Sequence, residues 1–343
     1  MTDGFGHTGD EKTGGPSRRK GLTMPLTFDL PLEKLPTYAG TNPRPADFDE
    51  FWARGLAELD ALDPAPEFQP AEFQTAFARC RHLVFRGTRG GRVYAKLLEP
   101  ANARAGRPAV VQFHGYSGNS GDWAGKLGLV AQGFTVAAMD VRGQGGRSWD
   151  AGGQAGTSFY GHFIRGLDGP PDEMLFRQVF LDTALLARIV MGLPGVDPRR
   201  VACAGASQGG GLALACAALE PRVARCAAAY PFLSDYQRVW KMDQDVGAYK
   251  ELRDYFRLFD PTHARETEVF TKLGYIDVQH LAPRIRAEVL MATALRDTIC
   301  PPSTQYAAYN KIAAKKTMVH YPDFGHEGLP GHEDRVFQFL AAM

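Results

Sequence analysis

The segment Gly205-Ala206-Ser207-Gln208-Gly209 sets a serine between two glycines. The apolar run Val201-Ala202-Cys203-Ala204 precedes it, and small residues from about 208 to 219 read as a helix. A serine on such a strand–turn–helix corner is presented as a nucleophile. Gly205 and Gly209 lack a Cβ, so the two backbones can approach closely. The helix start also points N–H groups at the serine, where they favour negative charge. The plainer alternative is an ordinary strand–helix turn that carries the pattern by chance. A phosphate loop fits worse. Gly209-Gly210-Gly211 has no following lysine, and Gly121…Gly125-Lys126 is one residue short and runs into Leu127. No GxGxxG follows an early strand, so a dinucleotide fold is not indicated.

A serine hydroxyl needs a base to take its proton. On a parallel sheet with this corner, the acid and the histidine follow the serine in that order. Glu288 to Leu295 reads as a strand ending in Arg296-Asp297, and Thr317 to Tyr321 as the next, running into Pro322-Asp323-Phe324-Gly325-His326-Glu327. Asp297 and His326 therefore lie beyond the carboxyl ends of consecutive strands, on the edge that carries Ser207. His326 is the expected base and Asp297 its orienting acid. Asp323 is the second-ranked acid, more naturally a turn residue. His320, within a strand, and His332, at the start of the last helix, are rival bases. A zinc-protease reading of His326-Glu327…His332 fails, because the histidines are six apart and Gly328, Pro330 and Gly331 forbid the helix.

Acyl transfer also needs donors for an oxyanion. The backbone N–H of Gln208 is one expectation. The other is the Tyr116 N–H, in the loop Phe113-His114-Gly115-Tyr116-Ser117-Gly118 that follows an early strand. Tyr116 and Ile299, from their places beside the partners of Ser207, are expected to wall the acyl pocket.

The elements that must position these residues read as alternating strands and helices. Ala109 to Phe113 and Phe134 to Met139 are apolar strands around a helix at 122–132. A Gly-rich loop at 143–169 leads to a helix from Asp172 to Met191, and Arg225 to Tyr230 is a further strand. Residues 232–280 break the rhythm and read as a helical insertion, a lid or a subunit contact. Ahead of the sheet, Phe48, Phe51, Trp52, Leu56, Leu59 and Leu62 recur at helical spacing, and 74–98 reads as strands with a turn at Gly90-Gly91. The expected fold is α/β: a mostly parallel twisted sheet with helices on both faces, an N-terminal helical extension, and an insertion before the strand that carries Asp297. Residues 1–23 read as a disordered leader, with Met24 a second candidate start, and 24–343 as one domain.

Bulk properties agree with a near-neutral soluble enzyme or binding protein. The 343 residues are 44% hydrophobic with a net charge of +1, which gives no footprint for a nucleic-acid partner. No apolar run is long enough for a membrane span, and the leader lacks the apolar stretch of an export signal, so the cytoplasm is expected. The five cysteines are scattered without a CxxC pair, which suggests buried thiols rather than a disulfide frame or zinc site. No metal or cofactor is expected.

Three motifs taken together, Arg142-Gly143-Gln144, Gly205-Ala206-Ser207-Gln208-Gly209 and His326-Glu327, resemble the signature of carbohydrate esterase family seven on the α/β-hydrolase fold. Asp140 to Gly146, Arg296 to Pro302, and the stretch from Met24-Pro25-Leu26 to Asp47-Phe48-Asp49-Glu50-Phe51-Trp52 look like family sequence too. The resemblance spans about 24–343. It implies acetyl xylan esterase and cephalosporin-C deacetylase activity, that is, removal of acetyl groups from small sugar and antibiotic esters without a metal. It also implies a homohexamer whose sites face an internal cavity that excludes polymeric xylan. Within it, Arg142 suits a structural fork that ties loops together, and Glu327 an orienting role in the histidine loop. The alternatives are a broader short-chain carboxylesterase or another hydrolase of this fold. A peptidase of the propeller-bearing kind needs far more than the roughly 100 residues ahead of the core strands. A non-catalytic binding protein would show a damaged triad.

Overall fold

A computed structural model of the chain describes residues 28–151 and 162–343. The expected leader, Met24-Pro25-Leu26 and part of the Gly-rich loop lie outside the described residues. Among the described residues nine strands form one sheet: β1 (Glu67–Pro70), β2 (Ala78–Arg86), β3 (Arg92–Pro100), β4 (Arg107–Phe113), β5 (Thr135–Met139), β6 (Val196–Ala206), β7 (Arg225–Ala229), β8 (Glu288–Ala294) and β9 (Lys316–Tyr321). Their spatial order is β1-β2-β3-β5-β4-β6-β7-β8-β9. The pairs from β1 to β5 are antiparallel, and every pair from β5 to β9 is parallel. This is the mostly parallel α/β sheet expected from the alternation. Its central strands are buried on both faces, hence their unbroken apolar runs.

The described residues also form ten α-helices: α1 (Phe48–Asp60), α2 (Leu127–Ala131), α3 (Leu175–Met191), α4 (Gln208–Leu219), α5 (Tyr236–Lys241), α6 (Lys250–Phe259), α7 (Glu266–Leu273), α8 (Val278–Leu281), α9 (Pro302–Tyr309) and α10 (His332–Ala341). All twelve residues of α4 are buried, so it carries no polar face. The helix expected at 122–132 is a 3₁₀ turn followed by the short α2. Strand β1 has no counterpart in the sequence reading, and it ends in Pro70. As an edge strand it tolerates proline.

The insertion at 232–280 is helical and packs on α1. The Trp52 ring stacks on Phe180 of α3 at 5.9 Å, and its Nε1 donates to the Tyr275 carbonyl at 3.0 Å. The N-terminal segment is fixed by Asp235, whose backbone is left-handed at φ 51°. Its carboxylate accepts from the Tyr38 hydroxyl (2.7 Å), the Thr41 N–H (2.9 Å) and hydroxyl (3.0 Å), and the Asn42 N–H (2.8 Å).

Candidate active site

Ser207 follows β6 and immediately precedes α4, with φ 56° and ψ −122°. That backbone is costly for a residue with a Cβ and persists only where the surroundings fix it. Here the Ser207 N–H donates to the Ala229 carbonyl at 3.0 Å, while its carbonyl accepts from Gly211 (3.1 Å) and Phe232 (3.0 Å). The corner closes because its glycines have no side chain. A Cβ on Gly205 would lie 2.4 Å from Gly209, and one on Gly209 would lie 2.1 Å from the Phe113 carbonyl oxygen.

Asp297 follows β8 and His326 follows β9, and backbone bonds lace their loops together. Leu295 N–H donates to Tyr321 and Arg296 N–H to Phe324, each at 3.0 Å. This brings the three side chains into one line. Ser207 Oγ lies 3.0 Å from His326 Nε2, and His326 Nδ1 lies 2.8 Å from Asp297 Oδ2. A carboxylate only accepts, so Nδ1 carries the proton and Nε2 is free to accept from the serine. Asp297 has no exposed side-chain surface, whereas His326 keeps 23% of its own. The other Asp297 oxygen accepts the N–H groups of Ile299 (2.9 Å) and Cys300 (2.8 Å). The Tyr230 ring packs 4.8 Å from the imidazole.

Asp297, Cys300 and His326 each offer a potential metal-ligand atom, all within 4.8 Å of one another. The Asp297 oxygens and both His326 nitrogens are already hydrogen-bonded within the relay. Burial pushes the Cys300 thiol well above its usual range, with Asp297 adding to the shift, so it remains protonated. All five cysteines are free and buried.

Gln208 is the first residue of α4, and Tyr116 lies in the loop after β4. Among the described residues neither backbone N–H donates a hydrogen bond. The β4 loop abuts the helix start, since the Cβ direction of Gly209 meets the His114 carbonyl as well as that of Phe113. The Tyr116 ring packs edge-on against Phe232 (5.6 Å) and His162 (5.3 Å). Ile299 is half-buried, and its side chain reaches within 3.5 Å of the Cβ direction of Gly247 in the insertion.

The residues of the first motif are not at the relay itself. Arg142 is fully buried and clasps both Asp182 oxygens (2.5 and 2.6 Å), the Thr88 carbonyl (2.9 Å) and Asp150 (3.3 Å). Gly143 takes a left-handed turn at φ 68°. Gln144 reaches the Gln208 amide. Glu327 is exposed and accepts the Gly325 N–H at 3.0 Å across the histidine loop. Of the rival residues, Asp323 and His320 are exposed, and His332 is buried at the start of α10. None of them joins the relay.

The sequence reading gave no role to His114, Asp182 or Tyr230. His114 was visible as part of a His-Gly step. Its Nε2 accepts the Val141 N–H at 2.9 Å while Nδ1 donates to the Gly115 carbonyl at 2.7 Å. Only the neutral ring can do both, and burial lowers its pKa accordingly.

Residues 24–343 match the acetyl xylan esterase (AXE1) family. The solved acetyl xylan esterase 1 from Thermoanaerobacterium sp. JW/SL YS485 is 58% identical, with a TM-score of 0.90, covering 92% of this chain and 99% of that one. An acetyl xylan esterase from Paenibacillus sp. R4 is 34% identical, with a TM-score of 0.87 and coverage of 91% and 99%. Acetyl esterase Axe7A of Xylanibacter ruminicola is 28% identical over 81% of this chain, which spans only 62% of that relative's length. Matched along nearly all of the described sheet and site, the chain belongs to the acetyl xylan esterase family, carbohydrate esterase family seven.

Proposed function

We propose that this protein is a serine esterase that removes acetyl groups from small acetylated substrates, xylo-oligosaccharides and cephalosporin C among them, through an acetyl-serine intermediate. The observation that carries the reading is the continuous relay from Ser207 through His326 to Asp297 at 3.0 and 2.8 Å. In this reading Ser207 Oγ attacks the acetyl carbonyl carbon as His326 Nε2 takes its proton. Asp297 stays ionised and stabilises the imidazolium. The carbonyl oxygen becomes an oxyanion and is met by the Gln208 and Tyr116 N–H groups, which no acceptor among the described residues occupies. Collapse breaks the ester C–O bond, and His326 returns the proton to the departing alcohol. A water molecule then repeats the sequence on acetyl-Ser207, releasing acetate and the free serine.

Tyr116 and Ile299 wall the acyl side in this proposal, which favours acetate over longer chains. Membership of the family further supports, as proposals, a single unit over 24–343 and a hexamer enclosing the sites, which would admit oligomers and exclude polymeric xylan. A cytoplasmic location is proposed with them. No helix among the described residues is long and apolar enough to cross a membrane.

The test is an acyl-chain series of aryl esters, run on the wild type and on Ser207→Ala. Turnover should fall steeply from acetate to butyrate, and the alanine variant should lose at least about 10³-fold in kcat. Retained activity in Ser207→Ala would overturn the mechanism. Equal turnover of long acyl chains would overturn the acetyl preference and favour a broader carboxylesterase.

A further inference from the structure

The two oxyanion donors of the proposed mechanism sit on different segments. The Gln208 peptide is pinned by the bonds to the Ser207 carbonyl, but Tyr116 belongs to a loop. The spacing between the donors therefore depends on what holds that loop to the start of α4. Two side-chain amides meet at this junction. Gln144 Nε2 donates to Gln208 Oε1 at 2.7 Å, and Gln208 Nε2 donates back to Gln144 Oε1 at 2.9 Å. The same Gln208 amide reaches the His114 carbonyl at 3.4 Å. Gln208 has no exposed surface and Gln144 is half-buried.

The segment that carries Gln144 is bound to the Tyr116 loop by a second route. Val141, three residues earlier, donates to the His114 ring, and His114 lies two residues before Tyr116. Arg142 fastens the segment to Asp182, Asp150 and Thr88. The chain from buried arginine to paired amides to both donor segments is continuous.

We propose that Gln144 is a positioning residue for the reaction: through its amide pair with Gln208 it sets the spacing of the Tyr116 and Gln208 N–H donors. It touches neither substrate nor Ser207. This role rests on the mechanism proposed above. Its signature is a loss confined to the transition state, because ground-state ester binding does not depend on where an oxyanion would sit.

The experiment compares Gln144→Ala, the nearly isosteric Gln144→Met, Gln208→Ala and the Gln144→Ala/Gln208→Ala double variant on an aryl acetate. Each is also titrated with methaneboronic acid, which bonds to Ser207 Oγ and mimics the tetrahedral anion. Each single variant should lose about 10- to 100-fold in kcat, less than deletion of a whole donor, with KM within about threefold. Boronate affinity should fall in step with kcat. The double variant should be no worse than about threefold below either single one, because both remove the same contact. Unchanged boronate affinity in Gln144→Met, or losses that multiply in the double variant, would overturn the proposal. Activity surviving in Ser207→Ala would overturn the underlying mechanism instead, so the two failures are distinguishable.

Discussion

Asp297 makes three contacts with two oxygens, taking one ring N–H and two backbone N–H groups. An asparagine there can present its NH₂ to His326 only by reversing the tautomer that Ser207 requires. Asp297→Asn should keep the fold and lose about 10⁴-fold in kcat, checked by steady-state kinetics beside a thermal melt. A loss under tenfold would remove Asp297 from the relay. At this scale the sequence was readable wherever order along the chain carries information. Ser207, Asp297 and His326 each follow a strand, and a parallel sheet delivers strand ends to one edge. Asp182 and His114 were opaque for the opposite reason. Asp182 sits mid-helix in α3 and meets Arg142 forty residues away, a pairing that no local pattern encodes.

Helix α6 shows what an element adds. It packs Glu251 into the interior of the insertion, 2% exposed, and burial pushes the carboxyl up to about 8 against the pull of N–H groups at 162–164. A carboxyl whose pKa is raised by folding stabilises the fold fully below its free value of about 4.5. That contribution is lost as pH rises through about 8. The Tm of the wild type should therefore drop more steeply than that of Glu251→Gln between pH 6 and 9, as read by scanning calorimetry. Parallel curves would show that the carboxyl ionises freely in the fold. Half-buried His162 and buried His280, each lowered to about 4 by desolvation, act in the other direction. Their neutral forms cost stability as pH falls from about 6.5 towards 4. The element pattern was legible for α1, whose apolar positions repeat at helical spacing. It was not legible for β1, a four-residue edge strand that ends in Pro70. Helix α4 was found through its small residues, not by periodicity, because a helix buried all round has none.

For the whole molecule, the first described segment is a structural member of the insertion and not an appendage. Four donors from residues 38–42 converge on Asp235, and Asp277 accepts the Asp235 N–H at 2.9 Å. Asp235→Ala would strand the Asn42 N–H group in the interior. It should cost about 1–3 kcal/mol, the penalty of one unsatisfied buried group. Urea unfolding measures this, and a cost below about 1 kcal/mol would refute the anchoring role. None of it was visible beforehand, since Asp235 lies 193 residues from Asn42. The sequence showed an amphipathic helix in need of a surface, but not which surface.

The wedge of glycines at the start of α4 bears on how this enzyme can change over evolutionary time. Gly209 faces the Phe113 backbone on one side, while Gly210 and Gly211 face the carbonyls of Ala229 and Phe232 on the other, with Cβ directions 2.1 to 2.8 Å from those oxygens. Backbone cannot step aside as a side chain can, so nearly every substitution in this turn is closed to drift and to directed mutagenesis alike. Ile299 is held through its main-chain N–H, and its half-buried side chain packs at the margin of the core against other side chains. On the acyl-pocket role proposed for Ile299, new acyl preferences in this lineage should accumulate around it, while the serine corner persists unaltered among descendants that no longer share a substrate.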